Sequence, residues 1–140
     1  MKSTTFQAKG PKTDRKWFLI NLEGQTLGRM CTQIAQILMG KSNPRQSFNR
    51  DDGDCVVAIN AKAITVTGTK AKTKIYYHYT NYPGGIREAT FQELMKKDPR
   101  LVIRHGVYGM LPKNKLRDLR IKRLKIFVGQ EHPYADKIKS

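Results

Sequence analysis

The sequence has 140 residues, of which 39% are hydrophobic and 27% charged, the proportions of a folded protein of single-domain size. Its 27 lysines and arginines against 11 acidic residues give a formal charge of +16, which predicts a polyanionic partner, nucleic acid before an anionic membrane. No apolar run approaches the roughly 20 residues that span a bilayer, and the first residues lack the apolar core of a secretory signal. We therefore expect a cytoplasmic protein without a membrane partner.

The order of the apolar segments predicts an α/β domain. Residues 1–14 show no hydrophobic periodicity and predict a basic N-terminal arm, whereas residues 15–140 predict a single domain with a short C-terminal tail. The continuous apolar run at 17–21 predicts a strand buried on both faces, as in a parallel sheet. Helical spacing over 26–40 and a second apolar run at 54–60 complete a βαβ unit with a right-handed crossover.

The boundaries and the remaining elements follow from turn and cap residues. Thr26 is the expected N-cap of the first helix and Gly40 its C-cap. Residues 64–68 predict either an extension of the sheet or a short edge, and residues 70–86 predict a basic, aromatic loop that projects from the domain. Two further helices are predicted, a short one that stops before Pro99 and another at 100–109.

The most basic segment lies between residues 107 and 129, where seven lysines or arginines face the single acid Asp118. A helix over residues 113–125, with Asn114 near its cap, would spread these charges around most of its circumference, unlike a membrane-surface helix. A merely solvated face would mix charges of both signs, so phosphate contact from several sides explains the pattern better. The candidate RNA-binding residues here are Lys113, Lys115, Arg117, Arg120, Lys122, Arg123 and Lys125.

RNA is favoured over DNA as the partner. A compact RNA can surround a protein, and the sequence has no recognisable helix-turn-helix, zinc finger or basic zipper. A second candidate contact combines bases with rings suited to phosphate binding and stacking, namely Lys70, Lys72, Lys74, Tyr76, Tyr77 and His78. The alternative for each tyrosine is that its ring packs beneath the loop.

No catalytic, cofactor or metal site is predicted. Gly24 and Gly28 match neither a dinucleotide-binding nor a phosphate-binding loop, and we expect Gly28 to permit close helix packing instead. Three widely separated histidines, at 78, 105 and 132, lack a metal-ligand spacing. The acidic run that holds Asp51, Asp52 and Asp54 predicts a turn before a strand rather than a cation site.

The two cysteines, Cys31 and Cys55, are not part of a motif that pairs two nearby cysteines. They are predicted to be buried free thiols.

From about residue 15 to residue 132 the chain resembles the bacterial large-subunit ribosomal protein thirteen family. The similarity lies in short motifs in a fixed order. They are Trp17, TLGR at 26–29, GD at 53–54, NA at 60–61, VTG at 66–68, YYH at 76–78, PGGI at 83–86, ATF at 89–91, GMLPK at 109–113, LK at 124–125 and Gly129.

This resemblance implies a three-layer α/β/α fold with a small, mainly parallel sheet. It also implies a non-catalytic constituent of the large ribosomal subunit that binds its RNA, lies beside other large-subunit proteins and supports early assembly. The GMLPK segment and the basic helix after it would face RNA, as would the YYH loop. Two positions depart from the family pattern, Arg117 in place of a small residue and Asp52 in place of threonine.

We therefore expect no cofactor, no DNA partner and no self-oligomerisation. Two other hypotheses stay open at this stage. The protein could regulate particular RNAs away from the ribosome, or it could be a small nucleotide-dependent enzyme, for which the sequence lacks a phosphate-binding loop.

Overall fold

A parallel sheet with helices against it forms the centre of the protein. The computed structural model describes residues 15–44 and 46–138, so the predicted arm at 1–14 lies outside the described residues. The strands are β1 (Trp17–Asn21), β2 (Cys55–Ile59), β3 (Ile75–Tyr79), β4 (Ile86–Thr90) and β5 (Leu124–Ile126). The helices are α1 (Leu27–Met39), α2 (Lys70–Thr73), α3 (Phe91–Lys97), α4 (Pro99–Met110), α5 (Leu116–Lys122) and α6 (Ala135–Ile138).

The main sheet has the strand order β1-β2-β5, and both pairings are parallel. The predicted βαβ unit is present as β1, α1 and β2. The third strand, β5, was not predicted, because residues 113–125 were interpreted as one helix. Leu124 and Ile126 lie in register with Val56 and Ala58, and all four pack in or against the same hydrophobic core. The α/β class is therefore confirmed, with the sheet completed near the end of the chain.

The first strand differs from the prediction in its burial. Every residue of the central strand β2 is buried, but β1 is an edge strand whose Phe18 and Leu19 are exposed. An apolar run has the composition of a buried strand. It does not show whether another strand lies on each side of it or whether both of its faces are covered. The expectation that β1 is buried on both faces was wrong for this reason.

The third layer is formed by the C-terminal segment. Ile20 packs against the core shared with α1, so Trp17 projects from the opposite face of β1. The Trp17 ring stacks on Tyr134 with centroids 5.1 Å apart, and α6 follows directly. Helices α1 and α4, the sheet, and the segment ending in α6 thus give the predicted α/β/α layers.

The segment predicted as a projecting loop is mostly an antiparallel hairpin. Strands β3 and β4 pair from Ile75 with Thr90 to Tyr79 with Ile86, after the short helix α2. The turn uses a left-handed backbone at Asn81 and at Gly84, where φ is 71°. The predicted sheet extension at 64–68 is reduced to one parallel bridge, between Thr65 and Thr26.

Helix α1 follows its predicted boundaries. Thr26 is the N-cap and Gly40 the C-cap, with Gly40 in the left-handed conformation at φ 74°. The Thr26 side chain makes no capping hydrogen bond, although its backbone is extended as an N-cap requires. The first turn of α1 therefore lacks the usual side-chain acceptor.

The two central helices approach each other at Gly106 rather than at Gly28. A Cβ atom on Gly106 of α4 would lie 2.6 Å from Cys31 Sγ, so a larger residue there would push the helices apart. A Cβ atom on Gly28 would meet no atom within 4 Å, so the expected packing role of Gly28 was wrong. Both cysteines are buried free thiols, as predicted, and burial raises the pKa of Cys31 to about 11.

Asp98 lies between α3 and α4, and its carboxylate caps the start of α4. Its Oδ1 accepts hydrogen bonds from the Arg100 amide at 3.0 Å and from Arg100 Nε at 2.9 Å, and Pro99 occupies the first helical position. The hydrogen bond from the Arg100 side chain lowers the pKa of Asp98. The carboxylate form is therefore favoured in the folded state.

We predict that Asp98→Ala lowers the free energy of unfolding by about 1 to 2 kcal/mol at pH 7, because it removes the N-cap of α4. Because the pKa of Asp98 is lower in the folded state, its negative charge adds to the free energy of unfolding above the unfolded pKa. This contribution is lost as the pH falls below about 4. Denaturant unfolding of the variant and the wild type at several pH values measures this difference. Asp98→Asn is the matched control: it should keep the cap and lose the pH-dependent part. A constant difference between wild type and Asp98→Asn from pH 7 to pH 3 would contradict the assignment.

Candidate nucleic-acid interface

The predicted basic helix is shorter than expected and one side of it is buried. Helix α5 begins at Leu116, whose amide donates to Asn114 Oδ1 at 3.1 Å, as the predicted capping role of Asn114 requires. Arg120 and Ile121 face the core, whereas the lysines at 113, 115 and 122 are exposed. Within α5 only Lys122 among the basic residues is exposed, so positive charge does not surround the helix.

Arg120 and Arg123 have an internal role. Their exposed fractions are only 3% and 7%, and both guanidinium groups approach the Asp51 carboxylate. Arg123 donates to both carboxylate oxygens of Asp51, one of them at 2.7 Å, and to the Leu38 carbonyl at 2.8 Å. Arg120 Nε lies 3.6 Å from Asp51 Oδ1. These contacts hold the segment before β2 and the end of α1 against α5.

The two arginines therefore do not belong to the exposed surface on which we expected phosphate contacts. Helical stepping places a residue on a face, but it does not show which face lies against a distant carboxylate. The acidic run itself is the connection before β2, as predicted, and it also serves as an acceptor. Asp51 binds the arginines, Asp52 Oδ1 lies 3.1 Å from Arg50, and Asp54 accepts from the Lys16 amide at 3.0 Å.

Arg117 and Lys125 are half-buried and lie in different places. The Arg117 guanidinium carbon lies 4.0 Å from the centroid of the Tyr108 ring, and the Tyr108 hydroxyl lies 3.4 Å from Asp118 Oδ1. Lys125 of β5 is in register with Val57 of β2. It therefore projects from the face of the sheet opposite to the one that packs on α1. Lys125 thus lies on β5, apart from the exposed Lys122 of α5.

The basic and aromatic residues before and within the hairpin divide between two faces. Lys70, Lys72 and Lys74 are all exposed. Tyr76 is half-buried, 5.9 Å from the His105 ring and 5.3 Å from Lys74 Nζ, and burial raises its pKa. Tyr77, on the other face, is 65% exposed.

The packing alternative is confirmed for Tyr76 and does not hold for Tyr77. The Tyr76 ring packs against the domain, and the Tyr77 ring is open to solvent. His78 shares the face of Tyr76 by strand alternation but is exposed nearer the hairpin turn.

A cleft that the sequence does not predict lies between the start of α1, α2 and the end of α4. Its volume is about 340 Å³, and Arg29, Lys70 and Lys74 are among the residues that line it. Arg29 was overlooked because a single exposed arginine in a helix carries little signal by itself. The usable signal was the neighbouring Gly28, a glycine inside a strongly periodic helix.

Among residues 15–44 and 46–138, no group of histidines, cysteines and carboxylates is arranged to hold a metal ion. None of the helices within these ranges is long and apolar enough to cross a membrane.

The fold and its surface define a basic α/β protein that displays lysines on and beside its short helices. Residues 15–133 match the model of the family described as Ribosomal protein L13, and the chain belongs to this family. It is 48% identical over 134 residues to the large ribosomal subunit protein uL13 of Thermoanaerobacter sp. (strain X514), covering 96% of this chain and 92% of the relative. It is 42% identical over 135 residues to that of Rubrobacter xylanophilus, covering 96% and 93%.

The resemblance inferred from the sequence motifs is thereby confirmed. Because the family is one of ribosomal proteins, the chain is a ribosomal structural protein and not an enzyme, and its place is in the ribosome.

Proposed function

We propose that this protein is a cytoplasmic constituent of the large ribosomal subunit that binds large-subunit ribosomal RNA and supports early subunit assembly. The observation that carries the proposal is the display of exposed lysines on and beside the short helices α2 and α5. Six lysines, Lys70, Lys72, Lys74, Lys113, Lys115 and Lys122, are exposed in a chain of formal charge +16. Exposed lysines at these positions can neutralise phosphates and release their counterions.

The lysines before the hairpin and those around α5 lie on separate elements, which suits contacts with separate RNA segments. Binding two segments of a folded RNA to one rigid domain fixes their distance, which is how a protein without catalytic groups favours one RNA fold. Tyr77 and His78 add exposed rings for stacking on unpaired bases. Neighbouring large-subunit proteins are expected as further partners.

Arg120 and Arg123 act as positioning residues in this proposal. By binding Asp51 they fix α5 relative to α1 and β2, and so fix the direction in which Lys115 and Lys122 point. Arg117 combines a charge with the Tyr108 ring and extends the same surface.

The proposal is tested by sedimenting a cell lysate through sucrose gradients at moderate and high salt, with the protein followed by mass spectrometry. We expect it to sediment with the large subunit in both gradients. A position at the top of both gradients would contradict the proposal and favour a regulator that acts away from the ribosome.

The assembly role has a separate test. Depleting the protein from growing cells should cause accumulation of large-subunit precursors that sediment more slowly than the mature subunit. Normal large-subunit profiles after depletion would contradict the assembly role without contradicting RNA binding.

A further inference from the structure

Gly28 occupies a helical position that the fold itself does not require to be glycine. It lies in the first turn of α1 without a positive φ, and an added Cβ atom would meet nothing within 4 Å. Glycine destabilises a helix relative to alanine. No close contact within the described part of the chain explains why this position is glycine. Glycine at such a position allows something from outside to approach the backbone closely.

The space over Gly28 is the cleft of about 340 Å³, within the range of small-ligand pockets. Its apolar walls are formed by Leu27, Cys31, Val66 and Met110, which come from α1, α4 and the connection before α2. This lining suits a flat apolar group better than a hydrated ion.

The edge of the cleft carries charge of one sign. Arg29, Lys70 and Lys74 line it, and no acidic residue among the described ones does. The charge of Lys74 reaches the Cys31 thiol, whose pKa it lowers against the larger effect of burial. An aliphatic side chain of a neighbouring protein would need no cations at the edge, whereas a nucleotide presents a phosphate beside its base.

The start of α1 adds polar groups to the same cleft. Thr26 lines the cleft, and its side chain makes no capping hydrogen bond with the first turn. Gly28 and Arg29 of the first turn of α1 also line the cleft, and amides of a first helical turn lack intrahelical acceptors. A base has edge groups that can bind such hydroxyl and amide donors.

We propose that the cleft over Gly28 binds a single unstacked nucleotide of large-subunit ribosomal RNA, with its base on Leu27 and Met110 and its phosphate near Lys70 and Lys74. This inference rests on the proposed RNA-binding function and specifies one site within it. The nucleotide would leave its own stack to enter the cleft, as bases in RNA loops and bulges do.

Gly28→Leu tests the proposal because it fills the cleft without changing any charge. With deproteinised large-subunit ribosomal RNA as the probe, we expect the affinity to fall roughly ten- to a hundredfold, the effect of losing one stacked base. The salt dependence should not change, because no phosphate contact is removed. The thermal midpoint should be unchanged or higher, because leucine is a better helix former than glycine.

Gln33→Leu is the matched control, since it adds the same side chain at an exposed position of α1 that does not line the cleft. It should bind the RNA as the wild type does. Base-specific chemical probing gives a second measurement: one unpaired base should be protected by the wild type and by Gln33→Leu, and exposed with Gly28→Leu.

Wild-type affinity and the same protected bases with Gly28→Leu would overturn the nucleotide site. If Gly28→Leu does not fold, Gly28→Ala carries the same expectation with a smaller, roughly threefold or greater loss of affinity. Failure of the wild type itself to bind the RNA would instead overturn the proposed function, so the two failures are distinguishable.

Discussion

Replacing Asp51 by alanine is expected to lower the free energy of unfolding by about 3 to 5 kcal/mol. The change leaves Arg120 and Arg123 in the interior without the carboxylate that both approach. A buried charge that loses its partner retains its desolvation cost, which is why breaking such a pair costs more than the pair itself contributes. Because folded domains are stable by only about 5 to 15 kcal/mol, this loss removes a large part of the total.

Urea unfolding followed by circular dichroism measures the effect. Asp118→Ala is a suitable control, since Asp118 is exposed and its hydrogen bond to Tyr108 is long, at 3.4 Å. We expect that control to change stability by less than about 1 kcal/mol. An Asp51→Ala protein as stable as the control would show that the arginines find other partners.

Replacing Lys113, Lys115 and Lys122 together by alanine is expected to weaken binding to large-subunit ribosomal RNA roughly tenfold or more at moderate salt. Each lysine that neutralises a phosphate contributes about one to the slope of log K against log salt, so the slope should fall by up to about three. The three side chains are exposed, so the fold should keep its stability. Filter binding over a series of salt concentrations gives both the affinity and the slope.

The matched control is the triple replacement by arginine, which keeps all three charges and should keep the slope. Arg123→Ala provides a contrast, because its guanidinium is internal and its loss should reduce stability before it changes the slope. If the alanine triple variant kept the wild-type slope, residues 113–122 would not be part of the RNA-binding surface.

The elements predicted well are those whose signals are local. Helix α1 was predicted from its apolar spacing and from Gly40, and the break between α3 and α4 from Pro99. Strand β5 was missed because three residues cannot show a period of two beside a helical pattern. The exposure of β1 was missed because strand order in a sheet depends on distant parts of the chain.

The sequence located the basic segments but not which of their side chains are exposed. Arg123 and Asp51 are 72 positions apart, and only the fold brings them together. Strand alternation could have separated Tyr76 from Tyr77, but not without knowing that residues 75–79 form a strand. The charge pattern locates the basic segment but does not distinguish Arg120, which is buried, from Lys122, which is exposed.

The parallel pairing of β2 with β5 also governs when the domain can form during synthesis. Strand β2 has no neighbour on one side until Leu124–Ile126 has been made, and Arg120 and Arg123 reach Asp51 only at the same stage. Earlier nascent chains therefore carry an open, apolar strand edge, the kind of surface that associates with other chains. Helix α5 is fixed by Arg120 and Arg123 only when this last strand closes the sheet, so Lys122 reaches its final position only on completion of the fold.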